Sequence, residues 1–216
     1  VVASVGDSGP EGGAPNGLYS AGAPGVGAKV IGVASYDNTQ VTQNAFTVNP
    51  GSLTIGFNTA AAAPPPPPSG TAPLAKTGTT ASLADGCVAA NFAGFPVGSI
   101  ALIRRGTCSF YIKASNAMAA GASAVVLYNN VAGALNPTVA DTPAITIPVV
   151  AVSGVDGAII DGTPGATLTW GSQTIVTANA SGGLISGFSS FGLAADLSLK
   201  PDIGAPGGSI YSTVPI

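Results

Sequence analysis

Few residues in this chain are able to do chemistry, and one type is missing outright: none of its 216 residues is a histidine. A serine nucleophile of the imidazole-activated kind has no base here. Six Lys and Arg are present, two of them adjacent. Arg104 and Arg105 read as one outward-facing cation and one partner of an acid such as Asp85. Lys113 reads as solvated. Asp156 and Asp161 bracket a short apolar run, but no D-x-D-x-D spacing accompanies them, so no tight metal site and no cofactor are expected. Trp170 and Phe95 read as core residues rather than a stacking platform. Lys200 and Asp202 flank Pro201 at a turn and read as a structural pair.

Cys87 and Cys108 are the two cysteines. They form either a disulfide or two buried thiols. Closing a loop of about 22 residues contributes roughly 3 kcal/mol in the chain-entropy model. The composition favours the disulfide, because it fits a secreted, extracellular protein. Charged residues make up only 7%, against about 25% in an ordinary domain. Net charge is −3 and the pI is about 4.4. So few cations give no patch for a phosphate backbone, and nucleic acid is not an expected partner. Mean hydropathy is +0.48, yet no apolar run approaches the ~18 residues of a membrane span. Asn179-Ala180-Ser181 is the one glycosylation sequon with an allowed middle residue.

The elements that must position these residues are short, since 31 Gly and 18 Pro punctuate the chain. Val1–Val5 reads as a strand rather than a secretory leader, and Lys29–Ser35 as a second strand. A Gly/Pro/Asn loop, Gly6 to Gly27, separates them. Phe46, Val48, Leu53, Ile55 and Phe57 alternate with polar neighbours, a β pattern. Ala60–Pro68 ends in five prolines and reads as a stiff, extended surface loop. Ser99–Arg104, Ala122–Tyr128 and Ile147–Val152 read as buried strands. Ser109 caps a predicted helix, Phe110–Ala120, which Gly121 stops. Gly154–Ile160 reads as a short helix, and Leu168–Trp170 with Thr174–Ala178 as a closing β pair. The tail is turn-rich like the head. A compact insert inside a discontinuous outer domain is expected, with boundaries at 1–43 and 179–216 for the outer part and 44–178 for the insert.

Two resemblances sharpen this division. Gly187-Phe188-Ser189-Ser190-Phe191-Gly192 with Leu199-Lys200-Pro201-Asp202-Ile203-Gly204-Ala205-Pro206-Gly207-Gly208 resembles the run F-S-S-x-G … K-P-D-I-x-A-P-G of subtilisin-like serine proteases. The family's Gly-Thr-Ser-Met-Ala motif would come next, and the sequence reaches Val214-Pro215-Ile216 before it. Val1 to Gly9 resembles the family strand ending A-A-G-N-x-G, and Val30–Asp37 its V-I-x-V-A-A-x-D continuation. The resemblance implies that Ser4, Val5 and Gly6 line a substrate-binding pocket. It also places Asp7 where the family has an asparagine that donates to the oxyanion. An ionised carboxylate cannot donate that bond, and losing one such donor costs about 100- to 1000-fold in rate. Burial would be needed to keep such a carboxyl neutral.

The centre resembles a protease-associated (PA) domain. The matching residues run from Asp85-Gly86-Cys87 through Val97–Gly106 and Thr107-Cys108-Ser109-Phe110. They continue through Lys113–Ala117, Ala120-Gly121-Ala122 and Val125–Asn129 to Ile147–Val150. A Ser–Lys dyad from Ser109, Lys113 and Ser115 would belong to the helix of that domain. The expected fold is therefore mixed α/β: a β-rich PA domain with short helices, inserted in part of a subtilisin-like parallel-sheet segment. The expected function is the non-catalytic portion of a secreted endopeptidase, whose PA domain governs substrate access or protein contacts. Partners would be protein or peptide substrates and the remainder of the protease domain. The alternatives are a stand-alone PA-type binding module and an inactive protease homologue.

Overall fold

The computed structural model describes residues 1–9, 19–179 and 181–210. Parts of the Gly6–Gly27 loop, Ala180 of the sequon and the tail 211–216 lie outside them. The mixed α/β, β-rich class expected from the sequence is the class found. The strands, in chain order, are β1 (Val2–Ser4), β2 (Ile31–Asp37), β3 (Gln40–Asn49), β4 (Leu53–Thr59) and β5 (Gly70–Lys76). Next come β6 (Ile100–Arg104), β7 (Ala124–Tyr128), β8 (Val149–Val152), β9 (Thr167–Trp170) and β10 (Thr174–Ala178). The last are β11 (Gly192–Leu193), β12 (Leu199–Lys200) and β13 (Ile203–Gly208). Two α-helices, α1 (Phe110–Ala119) and α2 (Gly154–Asp161), and a 3-10 helix at Ala89–Phe92 complete the set among the described residues. The chain divides into two units: Val1–Thr42 with Val176–Ile216, and Gln43–Ile175.

In the second unit the pairing runs β3-β4-β8-β7-β6-β5-β9, and β9 pairs again with β3. Seven strands therefore close on themselves, which leaves this ring without an open edge. The closing register sets Thr47 opposite Thr169 and Val48 opposite Leu168. β5 to β8 are mutually parallel. Alternation along each strand then decides what is inside. Phe46, Val48, Ile55, Phe57, Ile100, Leu102, Val126, Val150, Leu168 and Trp170 form the inner cluster. Phe46 and Phe57 stack with centroids 5.5 Å apart, and Trp170 meets both edge-on at 5.7 and 5.9 Å. The opposite faces of β6, β7 and β8 carry Ala101, Ile103, Val125, Leu127 and Val149, which α1 covers with Ala114 and Ala117. Phe95 joins that outer cluster beside Phe92, so it and Trp170 are core residues on opposite sides of the sheet.

Each helix is placed by its caps. Ser109 Oγ accepts the Ile112 N–H at 3.3 Å, and Ser153 Oγ accepts that of Asp156 at 3.0 Å. α2 inserts Ile160 into the inner cluster. Its backbone lies so close to β7 that a Cβ at Gly157 would collide with Tyr128.

Three expectations are corrected. β9 and β10 are not a hairpin: β9 lies between β5 and β3, and β10 lies on β3, with Ala45 N–H donating to the Gln173 carbonyl at 2.8 Å. Lys113 is buried, not solvated, because it shares the inward face of α1 with Ala114 and Ala117. Neither arginine pairs with Asp85: Asp85 accepts the backbone N–H of Arg104 at 2.9 Å.

The first unit holds a three-stranded parallel sheet in the order β1-β2-β13. The register aligns Val2 with Ile31, and Ser4 and Ile203 with Val33, so these residues share one face. Val2 is 64%, Ile31 46% and Ile203 54% exposed. The other face is crowded: a Cβ on Gly32 would sit 2.6 Å from the Gly25 carbonyl.

Replacing Gly157 with Ala raises helix propensity by up to about 1 kcal/mol, yet overpacks α2 against Tyr128. A net loss of about 1–3 kcal/mol, read as a lower thermal midpoint, is expected. A stabilised variant would contradict this packing.

Candidate functional site

The turn after β1 carries the residues singled out in the sequence. Val5 continues the sheet, its N–H donating to the Val33 carbonyl at 3.1 Å and its carbonyl accepting from Gly22 at 2.9 Å. Its side chain is fully buried, so only Ser4 and Gly6 of the expected pocket residues present surface. Gly6 adopts φ +113°, a conformation that favours glycine, and a Cβ there would lie 2.9 Å from Ser190 Oγ. Ser4 Oγ accepts the Gly6 N–H at 3.3 Å.

A serine clasp holds this turn. Ser190 N–H donates to the Gly6 carbonyl at 3.0 Å, and Ser190 Oγ accepts the Ser8 N–H at 3.0 Å. Gly9 N–H donates to the Phe188 carbonyl at 2.8 Å. Ser189 Oγ accepts the Ser35 N–H at 2.9 Å, and the Ser35 and Ser186 hydroxyls lie 2.9 Å apart. Ser186, Ser189 and Ser190 are all buried. The tail motif thus does positioning work that its residue types alone did not reveal. Asp7 emerges from the clasp exposed. It makes no ion pair with any described residue.

β13 is tied to the same sheet by Lys200 and Asp202. The two pair at 2.7 Å, Lys200 donates to the Val30 carbonyl at 2.9 Å, and Asp202 accepts the Gly32 N–H at 2.7 Å. The Lys200 ammonium and these hydrogen bonds hold the Asp202 carboxyl below its ordinary value. Asn179, the sequon residue, donates its side-chain nitrogen to the Asn38 carbonyl at 2.8 Å. That nitrogen is the atom a glycan would take.

The second unit is organised around a buried carboxylate that the sequence marked only as a partner for arginine. Asp85 accepts the Thr77 hydroxyl and the Arg104 N–H, while its carbonyl accepts Lys113 Nζ. Asn116 Nδ2 donates to the Gly86 carbonyl at 3.0 Å. Cys87 and Cys108 form a disulfide with Cα atoms 5.8 Å apart, which pins the same segment to the start of α1. Burial pushes the Lys113 ammonium below its ordinary value of 10.5; Asp85 opposes this and Arg104 adds to it. Asp156 accepts the Ser153 hydroxyl at 2.6 Å as part of the α2 cap, and Asp161 pairs with Lys76 at 3.4 Å. Among the described residues no helix is long and apolar enough to cross a membrane.

The chain is similar to several known proteins. The family model described as PA domain matches residues 70–160. The C5a peptidase of Streptococcus pyogenes is 42% identical over 120 residues, which are 54% of this chain and 10% of that protein. The minor extracellular protease Vpr of Bacillus subtilis is 31% identical over 216 residues, covering 99% of this chain and 25% of that protein. The chain thus spans a tenth to a quarter of the length of these relatives. Among solved structures, the zinc aminopeptidase BSAP of Bacillus subtilis is 30% identical across 65% of this chain and 35% of its own, with a TM-score of 0.48. A PA domain is therefore present, within a chain whose relatives are proteases.

A base whose native value is lowered binds fewer protons folded than unfolded between that value and its ordinary one. Stability from Lys113 therefore rises as pH climbs toward 10.5. In Lys113→Met the thermal midpoint should lose that rise. An unchanged slope would show that Lys113 titrates as an exposed lysine.

Proposed function

We propose that this chain is the non-catalytic portion of a secreted subtilisin-like serine endopeptidase, in which the PA domain modulates substrate access or protein interaction. The observation that carries the reading is that likeness to the protease Vpr runs through both units, over 99% of the chain, and not through the PA domain alone. The geometry agrees with it. A short parallel sheet leads into a clasped turn whose exposed residues include Ser4, Gly6 and Asp7, and the sheet's apolar face at Val2, Ile31 and Ile203 is open to solvent. Parallel sheets are normally covered on both faces, so further protease segments supply the cover, and with them the Asp, His and Ser of the reaction. Peptide hydrolysis through an acyl-enzyme is the proposed chemistry of the whole. Under this reading the turn lines the substrate cleft.

A second reading rests on Asp7. An exposed carboxylate at an oxyanion position repels the charge that develops there, which favours an inactive homologue that binds without cutting.

The two readings separate in the longer protein. Serine-inhibitor-sensitive peptide hydrolysis is expected from it and not from the 216-residue chain, which has no histidine. Asp7→Asn should raise that rate by about 100-fold or more. Activity in the isolated chain would overturn the first reading. A longer protein that binds peptides but stays inert with Asp7→Asn would establish the second.

A further inference from the structure

The closed ring of the second unit has a mouth where β6 and β7 end. Ile100 and Leu102 of β6 belong to the inner cluster, so Arg104, two residues on, continues the inward row at the rim. Register sets it beside Tyr128, the last inward residue of β7. A cavity of about 590 Å³ opens here, lined by Arg104, Asn129, Val131, Val155, Ala158 and Ile159 among others. Its size is that of a small-ligand site, and barrel mouths and the carboxyl ends of parallel strands are where such sites occur.

The lining is two-sided in chemistry. Val155 and Ile159 of α2 and Val131 of the β7–β8 connection are exposed, and they form an apolar wall. Asn129 is occupied in shaping that connection, its Oδ1 accepting from Arg105 at 3.3 Å and its Nδ2 donating to the Ala134 carbonyl at 3.1 Å. Opposite stands the Arg104 guanidinium. It donates to the Ser82 carbonyl at 2.6 Å and forms no ion pair among the described residues. Five N–H donors are carried by a guanidinium, so most of its fork remains for a ligand. Asp85, the acid of the adjoining segment, meets Arg104 through the backbone N–H.

A cation at the rim of an apolar wall asks for a ligand that carries a carboxylate and an apolar group close together. We propose that this cavity binds the free C-terminal carboxylate of a peptide whose last residue is apolar. In such a residue one Cα bears both groups. The carboxylate takes the Arg104 fork in a charge-assisted, bidentate contact, and the side chain lies on Val131, Val155 and Ile159. Cleavage of a peptide bond leaves one product with that terminus. The site thus deepens the interaction role proposed for the PA domain and rests on that reading for its biological source.

Calorimetric titration of the intact 216-residue chain tests it with three probes: N-acetyl-Gly-Gly-Leu, its C-terminal amide, and N-acetyl-Gly-Asp-Gly-amide. The free acid should bind, and the amide about tenfold or more weaker, as befits loss of a charged hydrogen bond. Arg104→Gln should weaken the acid by a similar factor, and so should Ile159→Asp, a change on the exposed face of α2 that keeps the fold testable if the first variant unfolds. Salt near 0.5 M should weaken binding as well. The proposal is overturned by equal affinity for acid and amide, by no binding at about 10 mM, or by a folded Arg104→Gln that binds unchanged. Equal binding of the internal aspartate peptide would also overturn it, by assigning the site to acidic side chains. These readouts need no hydrolysis, so their failure leaves the protease reading to its own test.

Discussion

The pairing of β3 with β9 is the interaction on which the PA unit depends. Three residue pairs, Thr47 with Thr169, Val48 with Leu168 and Asn49 with Thr167, turn an open sheet into a ring. Closure gives the unit an inside, where aromatic and branched side chains from all seven strands meet. It also fixes where that inside ends: Tyr128 is the last core residue of β7, and Arg104 beside it stands at the rim. The net charge follows the same division. Lys76, Arg104, Arg105 and Lys113 balance Asp85, Asp141, Asp156 and Asp161 within the second unit, so the chain's −3 resides in the first. Of these four cations only Lys76 makes an ion pair among the described residues; Arg105 is spent on Asn129 and Lys113 on the Asp85 carbonyl, while Arg104 reaches the rim.

The first unit meets the opposite condition. Its sheet is parallel, with one face crowded by the loop at Gly25 and the other bearing exposed Val2, Ile31 and Ile203. Hydrogen bonds from buried serines and the Lys200–Asp202 pair, rather than a large apolar core, hold its turn and its last strand. Such bonds contribute about 1 kcal/mol each and depend on the backbone positions they join. A unit built this way gains from any segment that covers its open face, which is why the proposed function assigns it to a larger protease.

Much of this was legible in the sequence because it is local. The cap Ser109, the short helix after Ser153 and the buried strands at 100–104, 124–128 and 149–152 follow from residue type and period. The disulfide followed from composition and became definite once its two ends were seen to meet. What failed was non-local. Nothing in Leu168–Trp170 says that its partners are β3 and β5 rather than the strand that follows. Lys113 did carry a usable signal, since it stands four residues before Ala117 on an amphipathic helix, but charge outweighed periodicity in the reading. The roles of Ser186 and Ser190 were hidden for the same reason as the ring closure: their partners lie more than 150 residues away.

Closure is most directly tested by native-state amide hydrogen exchange on the intact chain. A strand paired on both sides exchanges only when its unit opens, whereas an edge strand exchanges by local fraying. The account predicts that hydrogen-bonded amides of β9 are protected to the same level as those of β6 and β7, and well above those of β1. Exchange of β9 at the rate of an open edge, with β6 and β7 still protected, would contradict the closed ring and the rim site built on it.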